Sequence, residues 1–199
     1  MTLKAGFAET DITPPVGSLK AGWIVRIVSD RVLDPLHARA AVIRSGPDGV
    51  GIISLDTLSI RWTQVAEIRR RIQSRYGFPG DRVMVAATHN HAGPAMANVG
   101  DVLRDEAYLE KTVPVVVETF GRALEACREA EIGLGWCFEF EVSHNRRVIL
   151  RDGTVRCHGS FADPAALCLE GPIDPEVAVL AMRSTDAQPL GLLREGLAR

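Results

Sequence analysis

Two histidines stand two residues apart in the segment Val83-Met84-Val85-Ala86-Ala87-Thr88-His89-Asn90-His91-Ala92-Gly93-Pro94. An imidazole can ligate a metal through one ring nitrogen, or accept or donate a proton through either. If the apolar run is a strand that continues through the pair, its alternation turns both rings to the same face. At roughly 3.3 Å of rise per residue their Cβ atoms then lie about 6.5 Å apart, near enough to share one metal ion or one substrate. Gly93-Pro94 breaks the run immediately afterwards, which puts the pair on the rim of a sheet. A pair that only caps the strand through hydrogen bonds is the plainer reading. The buried-looking run before it favours a metal or catalytic role.

The elements that would hold this pair follow an α/β pattern, a mixed β-sheet flanked by helices. Ala38–Arg44 and Val50–Leu55 read as strands across the turn Ser45-Gly46-Pro47-Asp48-Gly49, a hairpin candidate. Trp62 to Tyr76 carries Val65, Ile68, Ile72 and Tyr76 at helical spacing, and Gly77 and Pro79 stop it. Arg82–Ala87 is the strand that delivers the histidines. Asp105 to Ala130 reads as a long helix that Pro114 should kink or split. Strands follow at Ile132–Ser143 and Val177–Ser184. No internal repeat or low-complexity linker interrupts the 199 residues, so one domain is expected over 1–199.

Composition narrows the function classes. Hydrophobic residues at 46% and charged residues at 24% fit a globular chain with a sizeable core. A net charge of -2 supplies no basic footprint, so nucleic acid is not expected as a partner. No run approaches a transmembrane length, and the first residues lack the apolar core of a signal peptide. Cys127, Cys137, Cys157 and Cys168 are widely spaced. Reduced thiols in a cytoplasmic protein are expected rather than a disulfide framework.

Other segments carry chemistry when taken together. They are Asp11-Ile12-Thr13-Pro14-Pro15, Ala21-Gly22-Trp23, Asp34-Pro35-Leu36-His37-Ala38-Arg39-Ala40, Ser54-Leu55-Asp56 and His144-Asn145-Arg146-Arg147. With Thr88-His89-Asn90-His91-Ala92-Gly93-Pro94, this order resembles the neutral/alkaline, non-lysosomal ceramidase family over about Gly6 to Gly191. The likeness is to the N-terminal part of the catalytic domain only. Asn90 stands where that family usually has Thr.

The resemblance implies zinc-dependent hydrolysis of ceramide or a related lipid N-acyl substrate. It implies zinc ligation by His89, a place beside the scissile carbonyl for His91 and Arg146, and a close substrate approach at Gly22. Asp56, ending a neighbouring strand, is expected to orient an imidazole. The family's later His, Glu and Tyr ligands have no counterpart before Arg199. A chain incomplete at its C-terminus is therefore expected, with weak zinc binding, apolar surface exposed near Val177, Val179 and Leu180, and a tendency to self-associate. The alternative is a catalytically inactive, degenerate α/β domain that binds lipid, metal or a partner.

Other metal enzymes fit less well. A metallo-β-lactamase-like site needs His-x-His-x-Asp-His, and Ala92-Gly93 follows His91 here. An amidohydrolase barrel needs roughly 250 residues. The string His89-Asn90-His91 suggests a nuclease only superficially, since that family disperses those residues through a ββα unit.

Overall fold

The hairpin of β4 (His37–Ser45) and β5 (Asp48–Leu55) is the frame of the fold, antiparallel from Ala38↔Leu55 to Ser45↔Asp48. The computed structural model describes residues 2–23, 25–160 and 162–196. By the distribution of contacts the chain divides into two compact units, Met1–Glu131 with Ser184–Leu190, and Ile132–Arg183 with Gly191–Arg199.

In the first unit β1 (Leu3–Asp11) runs antiparallel to β4 along its whole length, Leu3↔Ser45 to Asp11↔His37. Two short strands follow β1, β2 (Leu19–Lys20) and β3 (Ile27–Val28), which pair with each other. After β5 the chain turns through α1 (Trp62–Tyr76) and a short 3-10 turn, Gly80–Arg82, into β6 (Val83–Ala87). β6 lies parallel to β5, Gly51↔Val83 to Leu55↔Ala87. A parallel pair needs a crossover of this length, and α1 is that crossover. α2 (Glu106–Glu125) then packs on β1, β4 and α1. The first residues of β7 (Arg128–Phe138) add to β1 through Lys4↔Glu129 and Ala5↔Arg128. The order within this unit is β7-β1-β4-β5-β6. The sheet is mixed, as expected.

Both helices begin where the sequence says they should, and α1 also ends where expected. Gly77 closes α1 at φ 66 with its amide on the Gln73 carbonyl, the left-handed stop that glycine favours. α2 starts at Asp105, whose carboxylate accepts the Tyr108 amide at 2.9 Å. It runs unbroken through Pro114, which is exposed. The helical bond lost at proline therefore falls on the wet side, and the expected split does not occur. α2 also ends earlier than expected, at Glu125, because β7 begins at Arg128. Beneath it Val42, Ile53, Leu55, Ile68, Ile72, Val83, Val116 and Phe120 are wholly buried. β1 approaches α2 so closely that a Cβ on Gly6 would sit 2.1 Å from the Ala123 carbonyl oxygen.

The second unit holds the rest of β7, then β8 (Arg147–Leu150), β9 (Val155–Cys157), β10 (Ala166–Leu169), β11 (Glu176–Ser184) and most of β12 (Pro189–Gly196). β8 is the centre of a three-stranded antiparallel sheet ordered β10-β8-β9, and β12-β11-β7 forms the other ladder. Apolar surface was expected along Val177, Val179 and Leu180, but Val177 is buried and the other two are half-buried. β7 carries the exposed apolar residues instead, from Leu134 to Phe138.

Tyr108 ties α2 to the chain entering the rim. Its hydroxyl donates to the Ile12 carbonyl at 2.5 Å, and burial pushes its pKa up to about 12. The neutral phenol is thus favoured by folding. Its contribution is complete below about pH 10, the ordinary tyrosine value, and is lost as pH rises towards 12. We expect Tyr108→Phe to cost about 1 kcal/mol and to remove a phenolate absorbance step near pH 12. Loss of a step near pH 10 in the variant would contradict this tether.

Candidate functional site

The strand delivering the histidines ends two residues before the first of them. β6 stops at Ala87, and the Thr88 amide donates to the Leu55 carbonyl at 3.0 Å, where the same oxygen accepts from Thr57 at 2.8 Å. His89 then takes a left-handed backbone, φ 62, a conformation that costs a non-glycine residue on the order of 1–3 kcal/mol. The rings face each other because this loop folds back, not because a strand alternates through them. Their centroids are 5.1 Å apart, edge to face at 77°.

The loop is held by a small apolar cluster beneath it. Ala21, Leu58, Ala95 and Val102 are buried together, and the Ala21 amide donates to the Gly93 carbonyl at 3.0 Å. Leu58 turns its carbonyl towards the loop, 2.9 Å from His89 Nδ1. A carbonyl oxygen can only accept, so Nδ1 carries a proton, and in the neutral ring the lone pair is left on Nε2. Nε2 makes no hydrogen bond among the described residues. This is how a second contact fixes the tautomer of a metal-binding imidazole.

Asp56 was expected to orient the imidazole, and it does not. Its carboxylate accepts from the His37 amide at 3.0 Å and from Arg39 Nη1 at 2.7 Å. Arg39 also donates to Glu9 at 2.6 Å and lies 3.1 Å from His37 Nδ1. These four side chains lace the ends of β1, β4 and β5 together. A backbone carbonyl does the work assigned to the carboxylate, and a carbonyl has no residue-type signature in the sequence.

Gly22 and His91 are in direct contact. Gly22 has φ 91, and a Cβ there would lie 2.6 Å from His91 Nδ1. Trp23 adds an indole N–H to the His91 carbonyl at 2.8 Å and an edge contact to its ring, centroids 5.9 Å apart. Glycine is required here by backbone conformation and by space together. Trp23 was seen in the sequence only as the neighbour of Gly22. Its role as the clamp on His91 was not.

Arg146 belongs to the second unit. There it lines a hollow of about 370 Å³ with His144, Asn145, Val148, His158 and Leu169. Its carbonyl accepts the His158 amide at 2.8 Å, and it forms no ion pair among the described residues. The neighbouring Arg147, by contrast, is neutralised by Glu170. This leaves one guanidinium with imidazole and amide neighbours, a setting suited to an oxygen-rich, electron-donating group.

No group of three or more His, Cys, Asp or Glu side chains is placed to hold a metal ion among the described residues. A catalytic zinc takes three protein ligands and one open position. The described residues do not form such a centre. Cys127, Cys137, Cys157 and Cys168 form no disulfide among the described residues. No helix is long and apolar enough to cross a membrane.

Neither a protein-family model nor a curated protein sequence matches the chain. Solved structures do. The neutral ceramidase of Pseudomonas aeruginosa superposes with a TM-score of 0.76 at 21% identity, over 98% of this chain and 31% of that one. A ceramidase complexed with C2 gives 0.77 at 20% identity, again over 98% and 31%. The fold is ceramidase-like. The chain spans about a third of the length of the structures it matches.

If Gly22 exists to let His91 sit where it does, Gly22→Ala should displace the ring. We expect a shift of the His91 ring and Trp23 indole N–H resonances, with a stability loss of about 1–3 kcal/mol from the left-handed backbone. Unchanged His91 resonances in a folded variant would show that the contact does not position the ring.

Proposed function

We propose that this chain is the N-terminal part of the catalytic domain of a ceramidase-type, zinc-dependent N-acyl amide hydrolase. The observation that carries the reading is the bond from His89 Nδ1–H to the Leu58 carbonyl, 2.9 Å, which leaves Nε2 free beside His91. The ceramidase-like fold around it supports ceramide or a related lipid amide as the proposed substrate. On this proposal His89 is one zinc ligand and polypeptide beyond this unit supplies the others, as the neighbours' threefold length allows. Zinc supplies a Lewis acid and lowers the pKa of a bound water.

The chain's own residues handle the substrate. His91 donates to the carbonyl oxygen of the scissile amide as it becomes an oxyanion, and Arg146, which the resemblance also assigns to catalysis, is a second candidate for binding the substrate. Donors aimed at a developing oxyanion are worth several kcal/mol away from water. The glycine at 22 lets substrate and His91 share a space that a side chain would occupy. Water is added across the C–N bond, leaving a fatty acid and an amine. A cytoplasmic setting, in which the four thiols stay reduced, completes the proposal.

A second reading follows from the incomplete ligand set: an inactive α/β domain that binds lipid, metal or a partner. Fatty-acid release from an N-acyl sphingosine separates the two. The 199-residue chain alone should turn over poorly or not at all, with or without zinc. Adding the downstream segment of a full-length ceramidase should restore turnover, and His91→Ala or Arg146→Ala should then lower kcat/KM by about 10²–10³. No turnover in the reconstituted enzyme favours the inactive domain. Robust zinc-dependent turnover by the chain alone shows that these residues hold a complete site.

A further inference from the structure

The Leu58 carbonyl orients His89 only while the chain from Leu55 to Leu58 holds its course. Leu55 ends β5, and the first polar anchor after it is Asp56. Asp56 Oδ2 accepts two donors from β4, the His37 amide at 3.0 Å and Arg39 Nη1 at 2.7 Å. The Asp56 amide in turn donates to the His37 carbonyl at 2.9 Å. Thr57 is wholly buried, and its hydroxyl finds no partner among the described residues. Its side chain adds no polar anchor, so the direction of the chain into Leu58 is set at Asp56. The same residue meets the far end of the histidine loop. A Cβ added at Gly93 would lie 3.6 Å from the Asp56 carbonyl oxygen.

We propose that Arg39 is a positioning residue for His89, acting through Asp56 and the Leu58 carbonyl. The Asp56 side chain is 15% exposed. A carboxylate so far from water needs a cationic donor, and without one it is driven outwards to be solvated. Arg39 is that donor. It is itself held by Glu9 at 2.6 Å and by His37 Nδ1 at 3.1 Å. A guanidinium only donates, so His37 Nδ1 accepts, and the neutral ring of His37 carries its proton on Nε2, the reverse of His89. Two contacts thus fix the guanidinium where it meets Asp56. Turning Asp56 outwards would swing Thr57 and Leu58 with it and draw the carbonyl off Nδ1. Hydrogen bonds weaken steeply with angle, so a small rotation of this peptide is enough. The role rests on His89 being the functional imidazole, as proposed, and needs neither zinc nor turnover.

The His89 ring nitrogens report it, read from long-range ¹H–¹⁵N correlations at about pH 8, where an ordinary imidazole is neutral. Arg39→Met and Asp56→Ala should each lower the ratio of Nδ1–H to Nε2–H rings by about fivefold or more, the worth of one ordinary hydrogen bond. Asp56→Asn keeps an oxygen for both donors and should hold the ratio near that of the wild type. Arg82→Met removes an ion pair to Asp48, 2.7 Å, at the opposite end of β5, and should leave the ratio unchanged. In the wild type, the His37, Thr57 and Thr88 amides should exchange as one opening unit, a readout that needs no variant to fold. Separate opening of His37, or an equal change of ratio in Arg82→Met, would overturn the proposal. An unchanged ring in folded Arg39→Met, beside a wild type protonated on Nδ1, would remove the role of Arg39 alone. A wild-type ring protonated on Nε2 would remove the Leu58 contact, and the proposed function would lose its support as well.

Discussion

The carbonyl oxygen of Leu55 holds two amides at once, Thr57 at 2.8 Å and Thr88 at 3.0 Å. Leu55 is the last residue of β5 and is wholly buried, so this oxygen cannot follow the chain outwards. It fixes where β6 ends and how the histidine loop departs. The register Leu55↔Ala87 then brings the loop over Leu58, three residues after the same strand. The distance between His89 Nδ1 and the Leu58 carbonyl is thus a consequence of sheet register. A slip of one residue would turn the apolar face of β6 outwards and move the imidazole off its partner.

Polar side chains hold the neighbouring strand ends rather than the loop itself. Glu9, Arg39, Asp56 and His37 bind one another across β1, β4 and β5, and Arg39 is the hub with two carboxylates and an imidazole. Their value lies in the network, because isolated surface pairs contribute little. With the rim braced in this way, His89 can be kept in a left-handed backbone that it would not choose alone. Strain of this kind persists only where the surroundings determine it, and such places cluster at functional sites.

Elements were legible in the sequence where one local signal decided them. The period of α1, the Gly77 stop, the β4–β5 turn and the run of β6 were all visible as residue patterns. What failed involved tertiary context. The His89–Asn90–His91 segment looks like a continued strand because Thr88 and His89 carry no breaker, yet the Leu55 carbonyl ends the ladder there. Pro114 looks like a break in α2, but it falls on the exposed side, where the freed carbonyl meets water. Asp56 looked like the partner of an imidazole, and a main-chain oxygen took that place. Gly22 was legible as a close approach. The side chain approached, His91, became visible only in three dimensions.

The most direct measurement is the ring tautomer of His89, read from long-range ¹H–¹⁵N correlations of the histidine side chains, with zinc then added. The account predicts a neutral ring protonated on Nδ1 with Nε2 bare, and a zinc-induced shift at Nε2 that His89→Ala abolishes. A ring protonated on Nε2, or one that zinc leaves unchanged, would contradict it.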